Sequence, residues 1–462
     1  MPSLRKIFRY KKHYGTKSTV GLIYEKLVID KRRFSPKRVR RMPSFNNEYN
    51  ALPLPEASSS VRPLNILYAL HYFYPSKKGG TERFTLNLAK EQVRLGNLPT
   101  VLVLEANEPI SAYSEVCGDI FYRYYEYDGI RCIGFRHRRA PLGLYYKAVR
   151  LDDDAMRDFA RYIIKELKID LVHATYPQPF ASFLYECDRI GIPYVITCTD
   201  FCMCCHYSTL VDKEGGFCRG SDGGVRCSKI CKTYGCADPV KRKKNAEIIL
   251  LGASAVTVPS DFVARILSAE FRGLKILTAP HGISDAFEYR KRCGRVKNFL
   301  YAGTLSPLKG VHLLIDAFKS VKGDITLDIY GDGDKSYIKK LKSSADGRIA
   351  FHPAVSAERM PEIYQSADCV ILPSMWYETY NFVLREALKT GAFAIAADIG
   401  AMPEAITEGK NGYLFAPADK ESLSKKIRLA SEFDFEGYEQ KSFPTLADEA
   451  GIYQRIYQKS AQ

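Results

Sequence analysis

From residue 64 onward, short apolar runs alternate with longer segments whose apolar residues recur at helical spacing. The runs lie at 64–70, 100–104, 131–135, 171–175, 194–197, 255–258 and 276–279, and a second series follows at 298–303, 326–330, 348–352, 369–372, 394–397 and 413–415. Helical segments between them include 81–95, 153–167, 311–321, 360–366 and 382–390. Near-continuous apolar strands separated by helices imply parallel sheets covered on both faces. Two such series, divided near 283–297 by a polar connection, predict two facing doubly wound Rossmann-like domains. Ligands in such sheets bind beyond the carboxyl ends of the strands, which here places a site in the cleft between the two.

The rest of the chain is organised around that body. Residues 1–62 hold 15 Lys/Arg against four Asp/Glu, whereas the whole chain carries +16. Most of the basicity therefore belongs to an extension. Residues 1–45 place Leu4, Ile7, Phe8, Val20, Ile23 and Leu27 among basic residues, a pattern that suits either a solvated or docked arm or a helix on an anionic membrane surface. No aromatic stacking platform accompanies it, so no nucleic-acid partner is expected. The boundaries read as 1–63 for the extension and linker, 64–285 and 286–435 for the two domains, and 436–462 for a C-terminal helix. No apolar stretch is long enough to span a bilayer, and no secretory leader is evident. The expected location is cytoplasmic, peripheral to the inner membrane face where the basic arm docks.

Three stretches carry residues suited to chemistry. After the first strand, Gly79 and Gly80 open a helix, where exposed backbone amides can approach an anion. After the first strand of the second series, Gly303, Thr304, Lys309 and Gly310 form a loop that places a lysine near phosphate oxygens. The run 373–387 is the richest. A strand ends at Leu372, Glu378 stands in a loop, a helix opens near Tyr380, Asn381 and Phe382, and Glu386 follows eight residues after Glu378. Two carboxylates flanking exposed amides suit a ligand with hydroxyls at both ends and a diphosphate between them.

These motifs together resemble glycosyltransferase family 4, the retaining enzymes of GT-B fold. The resemblance runs through 299–311, Ile329 to Gly333, the Glu378/Glu386 pair, Ile399 to Glu404, and Asn411 to Phe415. It implies that Glu378 contacts donor-sugar hydroxyls and Glu386 the ribose. Lys309 and the amides near Tyr380, Asn381 and Phe382 would hold the diphosphate, with Gly79 and Gly80 closing over it. It also implies that the C-terminal helix, with Tyr453 and Tyr457, crosses back onto the first domain. Three departures stand out: Thr304 replaces a frequent Arg, Asn381 a common Gly, and Thr199-Asp200 the more usual His-Asp. The last points to a Thr-Asp subgroup with a cysteine-rich insertion, and Asp200 keeps a polar group near the reaction centre.

That insertion, 200–237, holds seven of the 13 cysteines. Cys205, Cys218, Cys227 and Cys231 are candidate ligands of a structural zinc; reduced thiols and redox chemistry are the alternatives. No cofactor is required for the transfer itself. The expected activity is retaining transfer of a sugar from a nucleotide-diphosphate donor to a sugar or lipid-linked acceptor hydroxyl, in cell-surface polysaccharide or glycolipid synthesis. The alternative is a catalytically silent nucleotide-sugar-binding or scaffold protein, favoured by Thr199 and Thr304.

Overall fold

The structure is a computed structural model that describes residues 48–49, 51–56, 61–76, 79–105, 108–138, 148–212, 215–231 and 238–462. The basic extension 1–45, including its expected membrane-surface role, lies outside the described residues, as does Cys236.

The first sheet has nine strands: β1 (Asn65–Leu70), β2 (Leu98–Leu104), β3 (Glu115–Cys117), β4 (Ile120–Tyr127), β5 (Ile130–His137), β6 (Leu171–Ala174), β7 (Tyr194–Thr197), β8 (Ala255–Val258) and β9 (Leu277–Thr278). Their spatial order is β3-β4-β5-β2-β1-β6-β7-β8-β9. The second sheet comprises β10 (Asn298–Ala302), β11 (Thr326–Tyr330), β12 (Ile349–His352), β13 (Cys369–Leu372), β14 (Phe393–Ala397) and β15 (Gly412–Phe415), in the order β12-β11-β10-β13-β14-β15. This second sheet is parallel throughout. Its central strands β13 and β14 are buried along their whole length, which is why they read as unbroken apolar runs.

One edge departs from the all-parallel expectation. β3 pairs antiparallel with β4, and β4 with β5. The cause is local: Asp128 and Gly129 both have positive φ, 51° and 76°, in the two-residue turn that matches the twist of a hairpin. Beyond its first residues β4 alternates between part-buried and exposed side chains, as befits an edge with one face in water.

The last helix, Leu446–Ser460, starts with a capping box between Thr445 and Asp448. It lies against the helix Gly80–Arg94 of the first half, where Gln92 donates to the Ala450 carbonyl at 3.1 Å. Tyr453 and Tyr457 are fully buried beneath it. The Tyr457 hydroxyl sits 2.6 Å from His173 Nδ1 and 3.1 Å from the Tyr68 hydroxyl. His173 Nε2 meets Thr197 Oγ1 at 2.7 Å, and Thr197 meets the Tyr453 hydroxyl at 2.9 Å. Burial pushes His173 down to about 3, so the imidazole is neutral, one nitrogen donating and the other accepting. Thr257 Oγ1 of β8 lies 2.7 Å from Thr197 Oγ1 and 3.1 Å from the Tyr453 hydroxyl, so strands β1, β6, β7 and β8 and the C-terminal helix are joined through one buried polar network.

Replacing Tyr457 by Phe removes a partner from both His173 and Tyr68 inside that network. The expected loss is about 1–3 kcal/mol of unfolding free energy, read from urea melts of the two chains at pH 7.

Candidate functional site

The loop between β13 and the helix Phe382–Lys389 carries Glu378 to the point where the carboxyl ends of the two sheets meet. Its Oε1 accepts three hydrogen bonds, each at 2.7 Å: from Lys309 Nζ, Ser374 Oγ and Trp376 Nε1. Burial alone would raise this carboxyl. The Lys309 charge and the three donors outweigh it, holding Glu378 below its ordinary value and therefore ionised. Lys309 Nζ also lies 5.0 Å from the centre of the Trp376 ring. Ser374 and Trp376 were not singled out by sequence reasoning; their place four and two residues before Glu378 was the available signal.

Two glycines let this constellation close. Gly310 has φ 72°, and a Cβ there would stand 1.9 Å from the Pro373 carbonyl oxygen. Gly400 has φ 66°, and a Cβ there would stand 2.5 Å from the carbonyl oxygen of Glu378. Any side chain at either position drives the Lys309 turn or the 400 turn away from the Glu378 loop. Asn381 occupies the left-handed region too, at φ 61°. Its side chain accepts from Leu384 N at 3.0 Å, so it caps the helix while holding the conformation a glycine would favour.

Glu386 lies one helical face deeper and is buried. Its Oε1 is 2.7 Å from Arg83 Nη1, and its Oε2 accepts from the Tyr364 hydroxyl at 3.2 Å. Arg83 belongs to the helix Gly80–Arg94 and so reaches across from the first sheet. Gly80 lies on the same seam: a Cβ there would be 3.8 Å from the Phe382 ring. Gly79 is in extended backbone, next to the end of the Glu82 side chain.

Other contacts tie the same loop to the first half. Thr379 Oγ1 donates to the Thr199 carbonyl at 2.8 Å, and Ser260 Oγ donates to the Thr379 carbonyl at 2.7 Å. The Tyr380 hydroxyl donates to the His281 carbonyl. Thr199 Oγ1 is 2.8 Å from Thr81 Oγ1 and donates to the Thr175 carbonyl. Its neighbour Asp200 accepts from Cys202 N at 2.8 Å, and burial pushes its carboxyl up to about 6. Thr304 is exposed, and its carbonyl accepts from the Tyr301 hydroxyl at 2.9 Å. The fold therefore gathers Lys309, Glu378, Tyr380, Asn381, Phe382 and Glu386 with Gly80 and Thr199. Arg83 and Tyr364, which complete the Glu386 site, were missed because they are remote in sequence.

The four candidate zinc ligands all lie in the described part of the insertion. Among the described residues no three His, Cys, Asp or Glu side chains stand where they could share a metal ion. Cys205, Cys218, Cys227 and Cys231 are neighbours, but Cys205 and Cys231 are buried while Cys218 and Cys227 are partly exposed. Cys218 Sγ donates to the Gly220 carbonyl at 3.4 Å. Burial pushes Cys218 up to about 12 and Cys227 up to about 11. The insertion also serves packing. The Phe217 ring lies 4.4 Å from that of Tyr377, beside Glu378, and buried Arg242 donates to the carbonyls of Met203 and Cys205.

Residues 78–287 match the family model described as Glycosyltransferase Family 4, and residues 288–439 match the one described as Glycosyl transferases group 1. An uncharacterized glycosyltransferase of Methanocaldococcus jannaschii is 28% identical over 50% of this chain and 60% of its own length. A lipopolysaccharide 1,2-N-acetylglucosaminetransferase of Salmonella typhimurium is 27% identical over 38% of this chain and 52% of its own. The chain thus spans little more than half the length of these curated relatives. Sucrose-phosphate synthase from Thermosynechococcus elongatus superimposes with a TM-score of 0.58 at 16% identity, covering 86% of this chain and 94% of that one. HepE from Anabaena, in complex with UDP and glucose, gives 0.57 at 18% identity, covering 86% and 95%. The architecture is the two-domain GT-B fold.

Removing Lys309 leaves the Glu378 carboxylate buried with two donors instead of three and no opposing charge. Lys309→Met is expected to cost about 1–3 kcal/mol in urea unfolding, and adding Glu378→Gln to recover most of it. Strictly additive costs in this double-mutant cycle would show that the two side chains are not coupled.

Proposed function

We propose that this chain, which carries both domains of a family 4-type glycosyltransferase, moves a sugar from a nucleotide-diphosphate donor to an acceptor hydroxyl with retention at the anomeric carbon. The observation that carries this reading is the buried, ionised Glu378 with its three donors, beside a second buried carboxylate at the seam of the two halves. In this reading Glu378 orients donor-sugar hydroxyls and Glu386 accepts from the ribose. Lys309 and the amides at Asn381 and Phe382 face the diphosphate, where the dipole of the following helix favours negative charge. Gly79 and Gly80 cover it from the opposite side.

The anomeric carbon loses its bond to the phosphate oxygen and gains one to the acceptor oxygen, and the acceptor proton passes to the departing phosphate. Positive charge develops on the sugar as negative charge grows on the diphosphate. Rate enhancement then comes from alignment and from stabilising the leaving group. Asp200 stands near the reacting sugar as a carboxylate, and its surroundings include Arg242, Glu82, Cys202 and Tyr176. The acceptor class is a sugar or lipid-linked sugar in cell-surface polysaccharide or glycolipid synthesis, approached from an anionic membrane surface through residues 1–45. Among the described residues no helix is long and apolar enough to cross a membrane. One observation favours donor binding without turnover: the Thr199 hydroxyl and carbonyl are both engaged in structural hydrogen bonds.

Titration with UDP-, GDP-, ADP- and TDP-sugars, followed by slow donor hydrolysis, tests the reading. One donor is expected to bind and hydrolyse, with hydrolysis lost at least about a hundredfold in Glu378→Ala, as for loss of a positioned transition-state contact; failure of every donor to bind overturns it. Asp200 supplies a second test. A carboxyl raised to about 6 is charged above that pH and neutral below it. The donor-hydrolysis rate is therefore expected to fall as pH drops through about 6, and Asp200→Asn to lose that limb of the profile.

A further inference from the structure

Among the described residues, the diphosphate site of the reading above offers little uncommitted positive charge. Lys309 is held by Glu378 at 2.7 Å. Thr304 is neutral. Arg385, at the same helix mouth, is buried and donates to the carbonyls of Tyr380 and Ala401, so its guanidinium is committed to backbone. The helix Phe382–Lys389 has eight residues, and its N-terminus contributes only about half a charge.

Arg83 stands at this mouth from the other side. Its Cζ lies 4.0 Å above the centre of the Phe382 ring, and Phe382 is the first residue of that helix. Its Nη1 is paired with Glu386 Oε1 at 2.7 Å. The two members of the pair differ in burial: the Glu386 side chain is 4% exposed and that of Arg83 27%. Arg83 therefore keeps partial access to solvent where its carboxylate partner has almost none. A planar guanidinium stacked on an aromatic ring presents its donors edge-on, the geometry that phosphate oxygens accept two at a time.

We propose that Arg83 is the donor-diphosphate ligand contributed by the first half of the chain, and that it exchanges partners on binding. This rests on the reading of the site given above. Without donor, Arg83 neutralises the buried Glu386 carboxylate. With donor, the ribose hydroxyls donate to Glu386, the guanidinium is released, and it turns to the diphosphate while staying stacked on Phe382. With the full donor each group trades one hydrogen-bonding partner for another, so neither is left buried without one. The exchange also couples binding to closure, because Arg83 is carried by the helix that begins at Gly80. A donor lacking the diphosphate would free Arg83 without giving it a new partner.

The experiment is calorimetric titration of the full chain with the nucleoside, the nucleoside monophosphate and the nucleoside diphosphate of the base that wild type prefers among uridine, guanosine, adenosine and thymidine. Arg83→Ala is expected to weaken the diphosphate about tenfold or more while the nucleoside binds as well or better, since Glu386 no longer has a competing partner. Equal losses for nucleoside and diphosphate, or unchanged diphosphate affinity, overturn the proposal. Arg83→Gln, neutral and of similar length, carries the same test if the alanine chain does not fold, with the ratio of diphosphate to nucleoside affinity as the readout. If wild type binds none of the diphosphates, the failure lies with the reading of the site and not with Arg83 alone.

Discussion

A carboxylate withdrawn from water at the meeting of two sheets has to be held by donors that are already fixed in place. Glu378 meets that condition through one oxygen that accepts from Lys309, Ser374 and Trp376 together. The donors come from the Lys309 turn and the Glu378 loop, which approach closely only because position 310 has no side chain, and Gly400 lets a third turn pack on the same loop. Burial and ionisation oppose each other here, and the donors decide the outcome. The same pre-organisation is what a sugar-binding carboxylate needs, since a group already desolvated and oriented loses little on meeting its ligand.

The contacts between the two halves fall into two kinds. The C-terminal helix is held on the first sheet by Tyr453, Tyr457, His173, Thr197 and Tyr68, all buried and hydrogen-bonded to one another. The loop 379–382 meets the first half through part-buried contacts of Thr379 with Thr199 and Ser260 and a buried one from Tyr380 to His281, and Glu386 follows with Arg83. Polar contacts reached by water exchange partners far more readily than a dry network.

The departures from the family pattern acquire physical meanings in this setting. Asn381 keeps the left-handed backbone that a glycine would adopt and adds a cap to the helix it opens. Thr199 uses its hydroxyl and carbonyl to bind Thr81, Thr175 and Thr379, so it joins the two halves where an imidazole would project. The cysteine-rich insertion supports the site by packing Phe217 and Phe201 toward Tyr377.

Local pattern was enough to read the two strand series, the second sheet's buried strands, and the placing of Lys309, Glu378 and Glu386 after strand ends. Such features depend on residues close together in the chain: apolar runs, glycines at turns, and an eight-residue spacing within one loop and helix. The antiparallel edge was written in Asp128-Gly129 and in the alternation of β4, but the surrounding parallel pattern masked it. The cysteine spacing shows order along the chain and not direction, and only the fold sets which thiols point together. Nothing local could pair Arg83 with Glu386, 303 positions apart, or His173 with Tyr457. The sequence by itself determined the elements and the residues at their ends, because both are set by short-range sterics and hydrophobic periodicity. Tertiary structure alone decided which charges meet and which carboxylates remain ionised, because those depend on desolvation and on partners brought together by the packing of whole sheets.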